Sequence, residues 1–156
     1  LGQLEQALKA TPSTQSLSFA QILQAAMVLS ATGAVQAVQD DAVVQKAKKR
    51  TDRLNVYLMT KARSSNELSY LASPVTGGGV TVPRFQQLFL LAKQQGHKQP
   101  QDWANFVWNI LALQNQRLVK DGKTLETVEE NLAELTAQAS EFAEKQLPIL
   151  KALQIA

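Results

Sequence analysis

The chain has no cysteine, one histidine (His97), and aromatic residues at only 6% of its 156 positions. Without cysteine there is no disulfide and no thiolate metal site, which matches a reducing compartment. A lone histidine argues against a His-based metal centre and against a Ser-His-Asp triad. No apolar run approaches the ~18 residues that a membrane-crossing helix needs, and no signal peptide is visible. A cytoplasmic location without membrane insertion is therefore expected. Proline and glycine are also sparse, at five and seven residues. The length fits one domain, or two small subdomains sharing a core, and a chain of this size buries about 68–70% of its unfolded surface without a covalent staple. Leu1 stands where an initiator methionine is usual, so a segment cut from a longer polypeptide is expected.

What glycine there is concentrates in one place. Tyr70-Leu71-Ala72 and Val80-Thr81-Val82 are short strand-like runs that flank Ser73-Pro74-Val75-Thr76 and Gly77-Gly78-Gly79. Three successive glycines belong where φ > 0 or a close backbone approach is required. Pro83 suits the first turn of a helix that begins near Arg84. The segment reads as extended chain, glycine turn, extended chain, helix.

Elsewhere the pattern is helical. Leu1, Leu4 and Leu8 share a face of a short helix that ends before Pro12. Ser18 and Gln21 have capping-box spacing, and Ile22, Leu23, Ala26, Met27 and Leu29 make an apolar face closed by Gly33. Val35 and Val38 around Gln36 predict a short strand. Helix, turn, helix, strand is the order of a small winged-helix-like piece, placed at residues 1–41. A helical domain follows at 42–156. Its first helix reaches about Arg63, with Val43, Val44, Ala47, Leu54, Tyr57 and Leu58 expected inward. Arg84 to Gln95 forms the next, with Phe85, Leu88, Phe89 and Ala92 inward. Pro100 opens a third, whose broad apolar face holds Trp103, Phe106, Val107, Ile110 and Leu111. Trp108, five residues on from Trp103, is expected to point elsewhere. Lys120-Asp121-Gly122-Lys123 is a turn, Thr127 and Glu130 form a capping box, and Pro148 interrupts the last helix. The predicted fold class is mainly α with a few short β-strands.

Charge is segregated along this framework. Residues 42–63 hold seven Lys or Arg against the single acid Asp52, a net +6 in a chain whose total is only +3. Lys46, Lys49, Arg50 and Arg53 form a candidate basic face for phosphate. The plainer reading is a solvated helix face, favoured because stacking aromatics are not interleaved with the bases, so nucleic acid is not the expected partner. Residues 126–145 hold six Glu against one Lys, an acidic outer face. The glycine run lacks the Lys-Ser/Thr of a phosphate loop and the spaced glycines of a dinucleotide loop. Ser73 and Thr76 have no base within sequence reach, and His97 lies in a polar loop. No catalytic, cofactor-binding or metal-ligating set is expected in this segment, which is read as no enzyme by itself.

Tyr70 to Val80, continued by Pro83 to Ala92, together with Gln116-Arg117-Leu118-Val119-Lys120-Asp121-Gly122-Lys123 and Leu125 to Leu135, resembles a known group. That group is the C-terminal part of bacterial class I S-adenosylmethionine-dependent methyltransferases with a methyltransferase regulatory domain, including protein-lysine methyltransferases. The resemblance covers about Leu54 to Ala156. It implies a non-catalytic accessory domain for substrate positioning, interdomain packing or regulation, with S-adenosylmethionine held elsewhere in the parent protein. The implied partners are the parent's other domains and a protein substrate. The competing readings are a nucleic-acid-binding winged-helix module and a free-standing helical interaction domain. Ser73, Pro74, Thr76, Gly77, Gly78, Gly79 and Arg84 are the candidate partner surface. Arg84, in a first helical turn where a cation opposes the helix dipole, is expected to serve a contact and to be dispensable for folding. Gly78→Ala is expected to destabilise the turn.

Overall fold

Helix boundaries in this chain follow local chemistry supplied within a few residues, as seen in a computed structural model that describes residues 2–156. Residues 1–38 and 39–156 form two compact units. The first contains α1 (Gly2–Lys9) and α2 (Phe19–Ala31). Ser18 opens α2 through the expected capping box: its Oγ accepts from the Gln21 N–H at 3.3 Å, and Gln21 Oε1 accepts from the Ser18 N–H at 2.9 Å. Two orphan donors are thereby satisfied. Gly33 closes the helix, its N–H donating to Ser30 and that of Ala34 to Leu29. The strand expected at Val35 and Val38 does not form; both lie in irregular chain. A strand needs a partner edge for its backbone groups, and no other strand occurs among the described residues of this unit. Ile22 is buried, but Leu23, Met27 and Leu29, expected inward, are exposed. Two helices enclose too little volume to cover so apolar a helix on every side.

The second unit runs α3 (Asp41–Lys61), β1 (Tyr70–Ser73), β2 (Gly78–Thr81), α4 (Arg84–Gln94), α5 (Pro100–Leu113), β3 (Val119–Lys120), β4 (Lys123–Thr124), α6 (Val128–Glu141), a π-helical turn (Phe142–Gln146) and α7 (Leu147–Ala152). The protein is thus mainly helical, with two antiparallel two-stranded sheets. Asp121 and Gly122, both at positive φ, form the two-residue turn between β3 and β4, the geometry that matches strand twist. Thr127 and Glu130 cap α6 reciprocally. Pro148 cannot donate to the preceding turn and crowds the carbonyl four residues back; the helix widens into the π turn just before it.

The core lies where α5 packs against both α4 and α6. That double packing accommodates two tryptophans five residues apart: Trp103 and Trp108 are both buried, because α5 is covered on two sides. Phe142 sits against Phe89 at 5.7 Å and edge-on to Trp103 at 6.1 Å between ring centres. Rings in such tilted arrangements contribute about 0.5–1.5 kcal/mol beyond their buried area.

Candidate functional site

The β1–β2 hairpin is built from its turn outward. Gly77 alone of the three consecutive glycines takes positive φ, at +71°, and a Cβ there would lie 2.8 Å from the Gln39 side-chain nitrogen. Gly78 is in strand conformation, and a Cβ on it would meet nothing within 4 Å. The requirement for glycine therefore belongs to Gly77, not Gly78. Gly79 lies beneath Tyr70, whose ring begins 3.7 Å from a built Cβ. Ser73 is buried and tied three ways: its Oγ donates to the Leu153 carbonyl at 2.8 Å and accepts from the N–H groups of Val75 and Thr76. It organises the turn and anchors the end of α7. Pro74 is likewise buried, and Thr76 Oγ1 is buried without a hydrogen-bond partner. Of the six candidates in the hairpin, Gly77, Gly78 and Gly79 are the exposed ones.

Strand register determines which hairpin edge is available. The Val82 N–H donates to the Ser69 carbonyl at 2.8 Å, so Ser69 and Val82 form a hydrogen-bonded pair. Alternation along an antiparallel ladder then turns the backbone groups of Ala72 away from β2. Buried Asn55 on α3 takes both of them: its Nδ2 donates to the Ala72 carbonyl at 2.8 Å, and its Oδ1 accepts from the Ala72 N–H at 2.7 Å. The amide acts as a one-residue third strand, and it carries no sequence signal beyond a polar residue among apolar ones. By the same alternation Gly79 and Thr81, both exposed, point their backbone groups to the outer edge of β2. An open edge of this kind is where an extended segment can add.

α3 meets the hairpin along one face only. Val44, Asn55 and Met59 are buried, whereas Val43, Leu54 and Tyr57 are exposed, against the expectation that they face inward. At about 100° per residue, Val43, Ala47, Arg50, Leu54, Tyr57 and Lys61 fall on one stripe beside the buried face. Lys46, Lys49, Arg50 and Arg53 are all exposed and centre opposite the core. None of the four makes a salt bridge to the described residues; the one on this helix joins Lys48 to Asp52. A groove of about 350 Å³ separates α3 from the hairpin, with Val43, Ala47 and Thr51 on one wall and Ala72, Pro74 and Gly78 on the other. Its walls are small and largely apolar, and exposed Val43 and Leu54 lie on the same stripe of α3, the composition of a surface another polypeptide covers.

Arg84 stands outside that groove. Its Nε donates to the Ala62 carbonyl at 2.8 Å, its guanidinium nitrogens to the Arg63 carbonyl and Gln116 Oε1 at 3.0 Å each, and to Gln114 Oε1 at 3.3 Å. Ala62 and Arg63 end α3, so the cation sits on the negative end of that helix dipole. Burial pushes the guanidinium below its usual pKa. The expectation that Arg84 is dispensable for folding is therefore corrected. The bond partners lie 22 and 32 residues away, so nothing local marks them. Gln87 plays a similar internal part, its Nε2 donating to the Leu68 and Val82 carbonyls at 2.7 and 2.8 Å.

No group of three or more His, Cys, Asp or Glu suited to a metal occurs among the described residues. No helix there is long and apolar enough to cross a membrane. His97 is half-buried against Phe106, and its carbonyl accepts from Trp103 Nε1 at 2.9 Å. No protein-family model matches the chain, and no solved structure matches it. The chain is 36% identical over 155 residues to an uncharacterized protein of Synechocystis sp.. That similarity takes in 99% of this chain and 29% of the cyanobacterial protein, so the chain spans less than a third of its length.

Proposed function

We propose that the chain is a non-catalytic accessory module of a longer S-adenosylmethionine-dependent methyltransferase, and that its α3–hairpin surface docks a protein segment. The docked segment belongs to the parent's other domains or to a protein acceptor. The observation that carries the modular reading is the similarity of nearly the whole chain to under a third of a much longer bacterial protein. The methyltransferase assignment rests on the resemblance of Tyr70–Ala92 and Gln116–Leu135 to the regulatory part of such enzymes. The docking reading rests on the open β2 edge and on exposed Val43, Leu54, Tyr57 and Tyr70. In a cytoplasmic enzyme of this kind the cofactor sits in the parent's catalytic domain, and this module places the acceptor.

The test uses the full-length Synechocystis protein and the same protein lacking the matched segment. Both are expected to bind S-adenosylmethionine in calorimetry, and only the intact protein to transfer methyl groups to protein acceptors at full rate. Absence of cofactor binding by the intact protein, or micromolar binding by the isolated 156-residue chain, refutes the reading. The four exposed cations Lys46, Lys49, Arg50 and Arg53 favour a second reading, nucleic-acid binding. That reading requires duplex affinity falling steeply with salt, with a log–log slope of about −0.9 per phosphate contacted.

A further inference from the structure

A second cleft, separate from the α3–hairpin groove, has a chemistry of its own. It lies between the start of α4 and the π turn, encloses about 210 Å³, and is walled by Phe85, Phe89 and Phe142. Its polar lining comes from Gln86, Gln138, Glu141 and Gln146, and Glu141 carries the one charge among them. Gln138 Nε2 donates to Glu134 Oε1 at 2.9 Å, which orients the amide and leaves its Oε1 as the group still to be met. Gln146 Oε1 is buried and receives no donor. Glu141 is a carboxylate, engaged only by Lys145 at 3.0 Å in a pair whose side chains are 63% and 57% exposed. Such solvated pairs contribute little and separate readily. A buried acceptor without a donor is unfavourable, and here it shares a cleft with a carboxylate and three aromatic rings.

We infer that this cleft is a receptor for a protonated amine on an alkyl stem: the ammonium meets Glu141, Gln138 Oε1 and Gln146 Oε1 while the stem lies against the phenyl rings. Charge, acceptors and aromatic faces all favour a cation over an anion or a neutral group. The π turn supplies this arrangement, because an extra residue in the helical repeat brings Gln146 to the same side as Glu141 and Gln138. Lys145 is the internal competitor for Glu141, so an incoming ammonium displaces it. Two sources present this chemistry, a lysine side chain of another polypeptide and a free aliphatic amine.

The experiment titrates the ¹⁵N-labelled chain with cadaverine, with a capped Gly-Lys-Gly peptide and with its norleucine counterpart. Saturable shifts centred on Phe85, Phe142 and Gln146 are expected from the first two probes and not from the third. Glu141→Gln should weaken binding about tenfold, equivalent to about 1.4 kcal/mol, with an unchanged melting temperature. Lys145→Ala, by removing the competitor, should tighten it. Tighter binding of the lysine peptide than of cadaverine makes the site a side-chain receptor, and the reverse order makes it a site for free amines. No saturable shift from either amine, equal shifts from the norleucine peptide, or an unaffected Glu141→Gln overturns the inference.

Discussion

Removing the Arg84 side chain tests whether a charged residue at a helix start holds this fold together from the inside. In Arg84→Ala the Ala62 carbonyl loses its 2.8 Å donor and two glutamines lose theirs, whereas the Arg63 carbonyl keeps the Gln114 Nε2 at 2.7 Å. A bond to a charged group contributes about 1.5–3 kcal/mol where the abandoned partner stays buried, and about 0.5–1 kcal/mol where water replaces it. Ala62 is buried, and the two glutamines are exposed. The loss therefore comes chiefly from one bond with small additions, about 2–3 kcal/mol. For a unit of this size that lowers the melting temperature by about 6–15 °C. Arg84→Lys should recover less than half, since an ammonium cannot span two helix ends as a planar fork does. Differential scanning calorimetry of the three proteins is the assay. An Arg84→Ala chain melting within about 2 °C of the parent would refute the reasoning and return Arg84 to the surface.

The hairpin offers a paired test: Gly77→Ala should cost about 1–2 kcal/mol, because alanine resists positive φ and crowds Gln39, while Gly78→Ala should stay within about 0.5 kcal/mol. Denaturant melts of both decide it, and equal losses would place the strain elsewhere. Asn55→Ala strands the N–H and carbonyl of Ala72 and should cost about 2–4 kcal/mol, with amide exchange at Ala72 accelerated first; a neutral result would mean water replaces the amide freely. In the α6 capping box the Thr127 backbone N–H and then its hydroxyl hold the Glu130 carboxyl below its ordinary value of 4.5. The unfolded carboxyl binds its proton at a higher pH than the folded one, so this contribution is complete above 4.5 and is lost as pH falls below it. Glu130→Gln should flatten that acid limb in pH-dependent melts, and an unchanged limb would assign it to other carboxylates.

Much of the local architecture was legible without a structure because its hydrogen bonds close within four residues. Ser18 with Gln21, Thr127 with Glu130, Pro100 at a helix start, and Asp121-Gly122 in a tight turn each specify an element from its own side chains. The glycine turn was legible as a turn, but which glycine requires positive φ was not, since that depends on how Ser73 gathers the loop. Burial obeys a different rule: an apolar residue is inside only where another element covers it. Periodicity alone put Val43, Leu54 and Tyr57 in the core, whereas α3 is covered on one face; it also set Trp108 apart from Trp103, and α5, covered on two sides, buries both. The strand expected at Val35 and Val38 failed for want of an edge to pair with. Asn55, Arg84 and Gln87 bond to backbone groups 17, 22 and 19 residues away, partners that become neighbours only once the chain has folded. The sequence by itself thus determined the kinds of elements, their ends and the uneven charge. Tertiary structure alone decided which polar side chains stitch them together, and left the α3 stripe, the β2 edge and the acceptor-lined cleft open, because those depend on contacts no local segment can make.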